Sequence, residues 1–224
     1  MSEKRREKMV HTVIFDLDGT LIDTEKYFKV FWRQAAAHFG YEMSEEQALS
    51  LRSLGRPFAP ALLRKWFGED FDYYAVREYR RQIMAVHLQK AGLERKPGAA
   101  ECLKQLKEAG YRIALATATP PDRARAQLAE VGLDRFFDEI VSASQVERGK
   151  PAPDVYLFAC EKMGVDPSVA VAVEDSPNGV ESAFAAGLSV VMVPDQTQPD
   201  ESLRQKLSAC IPSLYELPAA VAAL

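Results

Sequence analysis

Five short runs in this 224-residue chain are apolar almost without a break: TVIFDLD, RIALATA, DEIVSAS, VAVAVED and SVVMVPD. They are rich in β-branched residues, which favour extended backbone. Runs of this kind suit strands buried on both faces, as in a parallel sheet covered by helices. The stretches between them carry helical spacing. Cys102, Leu103, Leu106 and Gly110 follow Pro97-Gly98, and Ala124, Leu128 and Val131 follow Pro120-Pro121. Further stripes run through Val155, Phe158 and Ala159, and through Val180, Ala183, Phe184 and Gly187. Ser176-Pro177 is a helix start, a capping hydroxyl followed by proline where no amide is needed. Strand alternating with helix from about residue 96 onward predicts a doubly wound α/β sheet.

The first run stands apart from that rhythm. Roughly seventy residues separate it from the second, far more than one crossover helix requires. The insert reads as all-helical. Phe28, Phe31, Trp32, Ala35 and Phe39 make one apolar stripe, and Val76, Tyr79, Ile83 and Val86 another. SEEQ at 44–47 has the form of a capping box. The expected organisation is therefore an α/β core of residues 10–23 plus 93–224, with residues 24–92 as a small helical domain planted in the first strand–helix connection. Short hinges near Leu21–Thr24 and Gly92–Lys96 would join the two.

A formal net charge of −4 argues against nucleic acid or an anionic membrane as the main partner, without forbidding a local basic pocket. No run approaches the roughly 18 apolar residues of a membrane span. The opening MSEKRREKM is charged, lacks the apolar segment of a secretory signal and reads as a solvated tail. Cys102, Cys160 and Cys210 have no metal-type spacing and read as free thiols of a cytoplasmic protein. No protein partner is indicated.

In open α/β sheets ligands bind beyond the carboxyl ends of the strands, so the polar residues there are the ones to collect. The first strand delivers Asp16 and Asp18, whose spacing of two puts them on one face of an extended chain. RIALATA delivers Thr117, the loop after DEIVSAS delivers Lys150, and VAVAVED delivers Glu174 and Asp175. Acids outnumber the visible cation, which calls for a further positive charge. All-oxygen donors with no nearby histidine or thiol favour Mg²⁺. Carboxylates around Mg²⁺, a lysine and a hydroxyl together suit the grip of a phosphate dianion. One aspartate can then attack phosphorus while its neighbour moves protons.

Four motifs in order, DLDGT, LATAT, GKPAPD and EDSPNG, resemble those of the haloacid dehalogenase superfamily, over essentially the whole chain. The resemblance implies a Rossmann-like core and assigns roles. Asp16 would be nucleophile and metal ligand, and Asp18 the acid/base with its carbonyl on the metal. Thr117 and Lys150 would hold phosphoryl oxygens, joined by the amides near Gly19 and of Ala118. Asp175 and Glu174 would complete the metal site, Glu174 directly or by supporting the ligands. The insert is similar to the helical cap of the β-phosphoglucomutase and phosphonatase type, which closes over the site and reads the leaving group. Within it, LRSLGRPF resembles that branch's specificity loop, with Arg56 placed to hold a second anionic or polyhydroxyl group. Arg52, Arg64 and Arg77 are equally available for that task.

Within the superfamily, Asp18 argues against carbon–halogen and phosphonate chemistry, whose enzymes do not carry an aspartate there. Phosphate-ester chemistry remains. Sugar-phosphate mutases of this branch usually carry a histidine early in the first cap helix, where this chain has Tyr27-Phe28. The expectation is a Mg²⁺-dependent phosphatase acting on a small phosphorylated metabolite, a sugar phosphate or nucleoside monophosphate. The alternative is a mutase of the β-phosphoglucomutase type. A phosphometabolite-binding protein without turnover, or a receiver-like signalling module, fits less well, because receivers lack a cap and carry their phosphoacceptor on a later strand.

Overall fold

A computed structural model describes residues 10–224, so the charged opening segment lies outside the described residues. Six parallel strands form one sheet in the order β3-β2-β1-β4-β5-β6. They are β1 (Thr12–Phe15), β2 (Arg112–Thr117), β3 (Glu139–Ser142), β4 (Ala170–Glu174), β5 (Ser189–Met192) and β6 (Ala209–Cys210). The five apolar runs supply the first five. The two-residue β6 at the edge has no comparable run and escapes a reading based on one.

Alternation along each strand builds two different faces. Val13, Phe15, Ile113, Leu115, Val171, Val173 and Val191 point to one side. There they meet Leu103 and Leu106 of α5 (Ala99–Glu108), Leu128 of α6 (Pro121–Glu130) and Leu217 of α10 (Leu217–Ala222). Ile14, Ala114, Ala116, Ala170, Ala172 and Val190 point the other way. These smaller side chains admit α7 (Asp154–Met163) and α8 (Pro177–Ala185), which bring Tyr156, Ala159, Val180 and Ala183. Each large apolar side chain so buried contributes about 1.5–3 kcal/mol. The hydroxyl of Ser176 starts α8 by accepting from the Gly179 amide at 3.2 Å, and Asp200 caps the short α9 (Glu201–Arg204).

Between β1 and α5 lie α1 (Glu25–His38), α2 (Glu45–Ser50), α3 (Phe58–Phe67) and α4 (Tyr73–Ala91). Ser44 and Gln47 form the capping box that starts α2, with bonds of 3.0 and 2.9 Å. Asp72 caps α4. These helices enclose an apolar cluster of their own around Trp32, Ala35, Leu63, Phe71 and Val76. The buried faces are narrower than the sequence stripes: Phe39 and Val86 are 40% and 54% exposed, and Met84 is buried instead. The chain's way in and way out pair with each other. Ile22 and Arg95 form an antiparallel bridge, and Asp23 and Lys96 donate to Glu94 and Leu21 carbonyls at 2.8 and 2.9 Å. Among the described residues no helix is long and apolar enough to cross a membrane.

Candidate active site

The strand order reverses between β1 and β4, and a doubly wound sheet opens a crevice at such a point. The strand β1 ends at Phe15, earlier than the apolar run suggests. The Asp16 amide still donates to Val173 of β4 at 3.0 Å, after which the chain turns sharply through Gly19 at φ +86°. Asp16 and Asp18 therefore lie in a turn rather than on one strand face. Both still line the same cavity.

Lys150 arrives from the loop before α7 and is fully buried. Its ammonium donates to Asp16 Oδ1 at 2.5 Å, to Glu174 Oε1 at 2.6 Å and to the Ala116 carbonyl at 2.9 Å. That satisfies all three N–H groups, two of them on carboxylates. Burial acts to lower the Lys150 pKa, but Asp16 and Glu174 outweigh it and hold the pKa above its ordinary value. Tyr156 donates to the same Glu174 oxygen at 2.6 Å.

Asp16, Glu174 and Asp175 each offer a carboxylate oxygen within 4.8 Å of the others, and all three are buried. Burial raises the Asp16 carboxyl well above its ordinary pKa; Lys150 opposes this, while Glu174 and Asp175 add to it. Burial likewise raises Asp175 to about 7, against the pull of Arg52. Asp16 Oδ2 is buried with no hydrogen-bond partner. An orphaned carboxylate oxygen within an all-oxygen, mutually repelling trio fits a hard divalent cation. The trio includes three of the four residues expected at a metal. The carboxylate of the fourth, Asp18, is held elsewhere, accepting from Thr24 at 2.7 Å and Thr119 at 2.8 Å.

The remaining expected residues take varied positions. Thr117 is buried at the end of β2, its hydroxyl accepting from the Thr119 amide at 3.1 Å, and Ala118 lines the cavity. The Gly19 amide donates to Ile22 O at 2.9 Å within its own turn, so Gly19 contributes space rather than a free donor. A Cβ there would run into the Asp175 carboxylate and the Glu25 side chain. Arg56 is exposed at the cavity's edge.

The deep arginine is Arg52, 1% exposed. It pairs with Asp175 and, at 3.1 Å, with Glu25, and it donates to Thr197 at 3.1 Å. Nothing in the sequence separates it from the other arginines of the insert. Thr24, Thr119, Tyr156 and Glu25 carried no such signal in the sequence either. Two further contacts bring the insert's loop onto the core. Gly55 N donates to Lys150 O and Gly149 N to Arg56 O, both at 2.7 Å. Asn178 of α8 donates to the Arg52 carbonyl at 2.8 Å. The cavity between insert and core has a volume of about 330 Å³ and has Asp16 and Asp18 in its wall.

The chain is similar to several known proteins. A phosphorylated carbohydrates phosphatase of Thermotoga maritima is 34% identical over 186 residues, covering 80% of this chain and 82% of that protein. The fructose-1-phosphate phosphatase YqaB of Escherichia coli is 33% identical over 186 residues, covering 81% of this chain and 95% of that protein. The crystal structure of CbbY from Rhodobacter sphaeroides in complex with phosphate superposes with a TM-score of 0.78 at 26% identity, over 96% of this chain and all of that one. The family model for haloacid dehalogenase-like hydrolases matches residues 10–187, which include Asp16, Asp18, Thr117, Lys150, Glu174 and Asp175. With its motifs in order on a matching fold, the chain belongs to the haloacid dehalogenase-like hydrolase family.

Proposed function

We propose that this protein is a Mg²⁺-dependent phosphatase that hydrolyses a small phosphorylated metabolite, a sugar phosphate or nucleoside monophosphate, through a phosphoryl-aspartate at Asp16. One observation carries the reading. Asp16 sits in the wall of a cavity between insert and core, with one oxygen fixed by Lys150 and the other without a partner. The phosphatases among its relatives support the reaction class.

Asp16 attacks phosphorus, a bond to its carboxylate oxygen forms and the ester bond breaks. Asp18, held by Thr24 and Thr119, gives its proton to the departing alkoxide. It then takes a proton from the water that attacks the phosphoryl-aspartate, releasing phosphate and restoring Asp16. Lys150 orients Asp16 throughout, and Thr117 with the Ala118 amide flanks the phosphoryl group. Asp16, Glu174, Asp175 and the Asp18 carbonyl would hold Mg²⁺, which would supply the positive charge that lets a phosphate dianion approach carboxylates. We assign residues 24–92 as a cap over a core of 10–23 plus 93–224, since Phe28, Trp32, Tyr73 and Arg80 of the insert line the cavity that holds Asp16. Free thiols at Cys102, Cys160 and Cys210 suit a reducing cytoplasm.

The test is a panel of phosphorylated sugars and nucleosides with Mg²⁺, following free phosphate and isomerised sugar together, on the wild type and on Asp16→Asn. Phosphate release that disappears in the variant is expected. Isomerised product without phosphate, or full activity in Asp16→Asn, overturns the reading.

A further inference from the structure

The same cavity carries charge that the reaction at Asp16 does not use. Arg77 and Arg80 lie one turn apart on α4, and Arg123 sits in the first turn of α6; all three line the cavity together with Arg56. Among the described residues none of these four forms an ion pair. Their neighbour Arg81 does, with Glu78 at 3.2 Å.

Arg80 is the centre of the group. Its guanidinium lies over the rings of Phe28 and Trp32, 4.9 and 5.3 Å from their centroids, and donates to Met84 Sδ at 3.7 Å. Its Nε–H is buried without a partner. Contact with two rings restrains the guanidinium and leaves it with only a weak sulfur acceptor, so its remaining N–H donors are available to an oxyanion. Burial, with Arg77 and Arg123 adding to it, lowers the Arg80 pKa to about 10. Asp18 and Glu25 offset this only in part, and none of the carboxylates lining the cavity pairs with these arginines: Asp16 is held by Lys150, Glu25 by Arg52, and Asp18 by its two threonines. Like charges gathered in one cavity call for an anion between them.

We propose that Arg80, flanked by Arg77 and Arg123, is a subsite for a second anionic group on the substrate. The preferred substrate then carries a phosphate or carboxylate in addition to the phosphoryl group presented to Asp16. Arg77 and Arg80 belong to the insert and Arg123 to the core, so the second anion also ties the two together over the reacting end. The proposal rests on the phosphatase reading only for which end of the substrate faces Asp16.

Binding separates the two ideas. In the Asp16→Asn protein with Mg²⁺, titration calorimetry compares fructose 6-phosphate, fructose 1,6-bisphosphate and 3-phosphoglycerate as probes. The bisphosphate or the phosphocarboxylate should bind about tenfold or more tightly than the monophosphate, and which of them does so identifies the second anion. Arg80→Gln and Arg123→Gln should each reduce that preference to within about threefold, while Arg80→Lys should keep part of it. Equal affinities in the Asp16→Asn protein, no binding by any of the three, or a preference that survives both glutamine variants overturns the subsite. Wild-type protein that shows the preference yet releases no phosphate would leave the subsite standing and remove the phosphatase reading.

Discussion

The guanidinium of Arg52, carried by the helical insert, meets the carboxylate of Asp175 at the end of β4, and neither side chain is more than 1% exposed. The pair joins two separately packed clusters at the acid trio. Arg52 also holds Glu25, so one cation serves two buried acids.

Breaking a buried pair from one side leaves charge without a counterion, which costs about 3–5 kcal/mol. Arg52→Met should destabilise the metal-free protein by about that much, measured by urea unfolding in EDTA. Adding Mg²⁺ should restore part of the loss, since Asp175 regains a positive partner. An unaltered unfolding midpoint in EDTA would show that the pair is not held in solution.

The acids near that pair set a pH dependence. Burial lifts Asp175 from its ordinary 3.8 to about 7, and Asp16 and Glu25 also rise, burial again being the largest cause. Between those values the folded protein holds protons that the unfolded chain has released, so stability falls as pH rises from about 4 to about 7. The urea midpoint in EDTA should drop across that window. With Mg²⁺, which binds the deprotonated carboxylates, the drop should flatten. A midpoint that climbs with pH in EDTA would contradict the assignment.

If Asp18 protonates the leaving group, its removal should matter most for poor leaving groups. Asp18→Asn should lower kcat/KM for an alkyl phosphate by about 10²–10⁴-fold and for p-nitrophenyl phosphate much less, because nitrophenolate departs without a proton. Equal losses in kcat/KM, which reports transfer to Asp16 and not the later hydrolysis shared by both substrates, would assign Asp18 a structural role.

Gly55 and Gly149 face each other across the junction of insert and core. A Cβ on Gly149 would stand 2.7 Å from Gly55 Cα, and one on Gly55 would stand 2.6 Å from Gly149 Cα. Gly149→Ala should therefore force the two loops apart and break their reciprocal backbone bonds, with Lys150 next in the chain. We expect kcat/KM to fall about tenfold or more, with a larger radius of gyration by small-angle scattering. Unchanged scattering and activity would mean that the junction has slack.

Much of this protein was legible in its sequence because the signals are local. A strand buried on both faces has little choice but a continuous apolar run, so β1 to β5 were visible as TVIF, RIALAT, EIVS, AVAVE and SVVM. The capping box at Ser44 and the start at Ser176 depend on residues three apart. Asp16, Lys150, Glu174 and Asp175 stand at strand ends or in the loops beyond them, where topology alone makes them converge. The two-residue β6 and the true inner face of α4 were not visible, since each is set by neighbours distant in the chain.

The sequence by itself determined the sheet, the helical insert and which acids and lysine gather beyond the strand ends, because hydrophobic period and motif spacing are properties of short segments. Only the tertiary structure decided which arginine does what. Arg52 went inward to Asp175 while Arg56 stayed exposed, and Arg80 came to rest on Phe28 and Trp32 beside Arg123, more than forty residues away in the chain. A guanidinium on a long, flexible stem takes its place from the charges and rings that folding brings to it, and no local pattern encodes those.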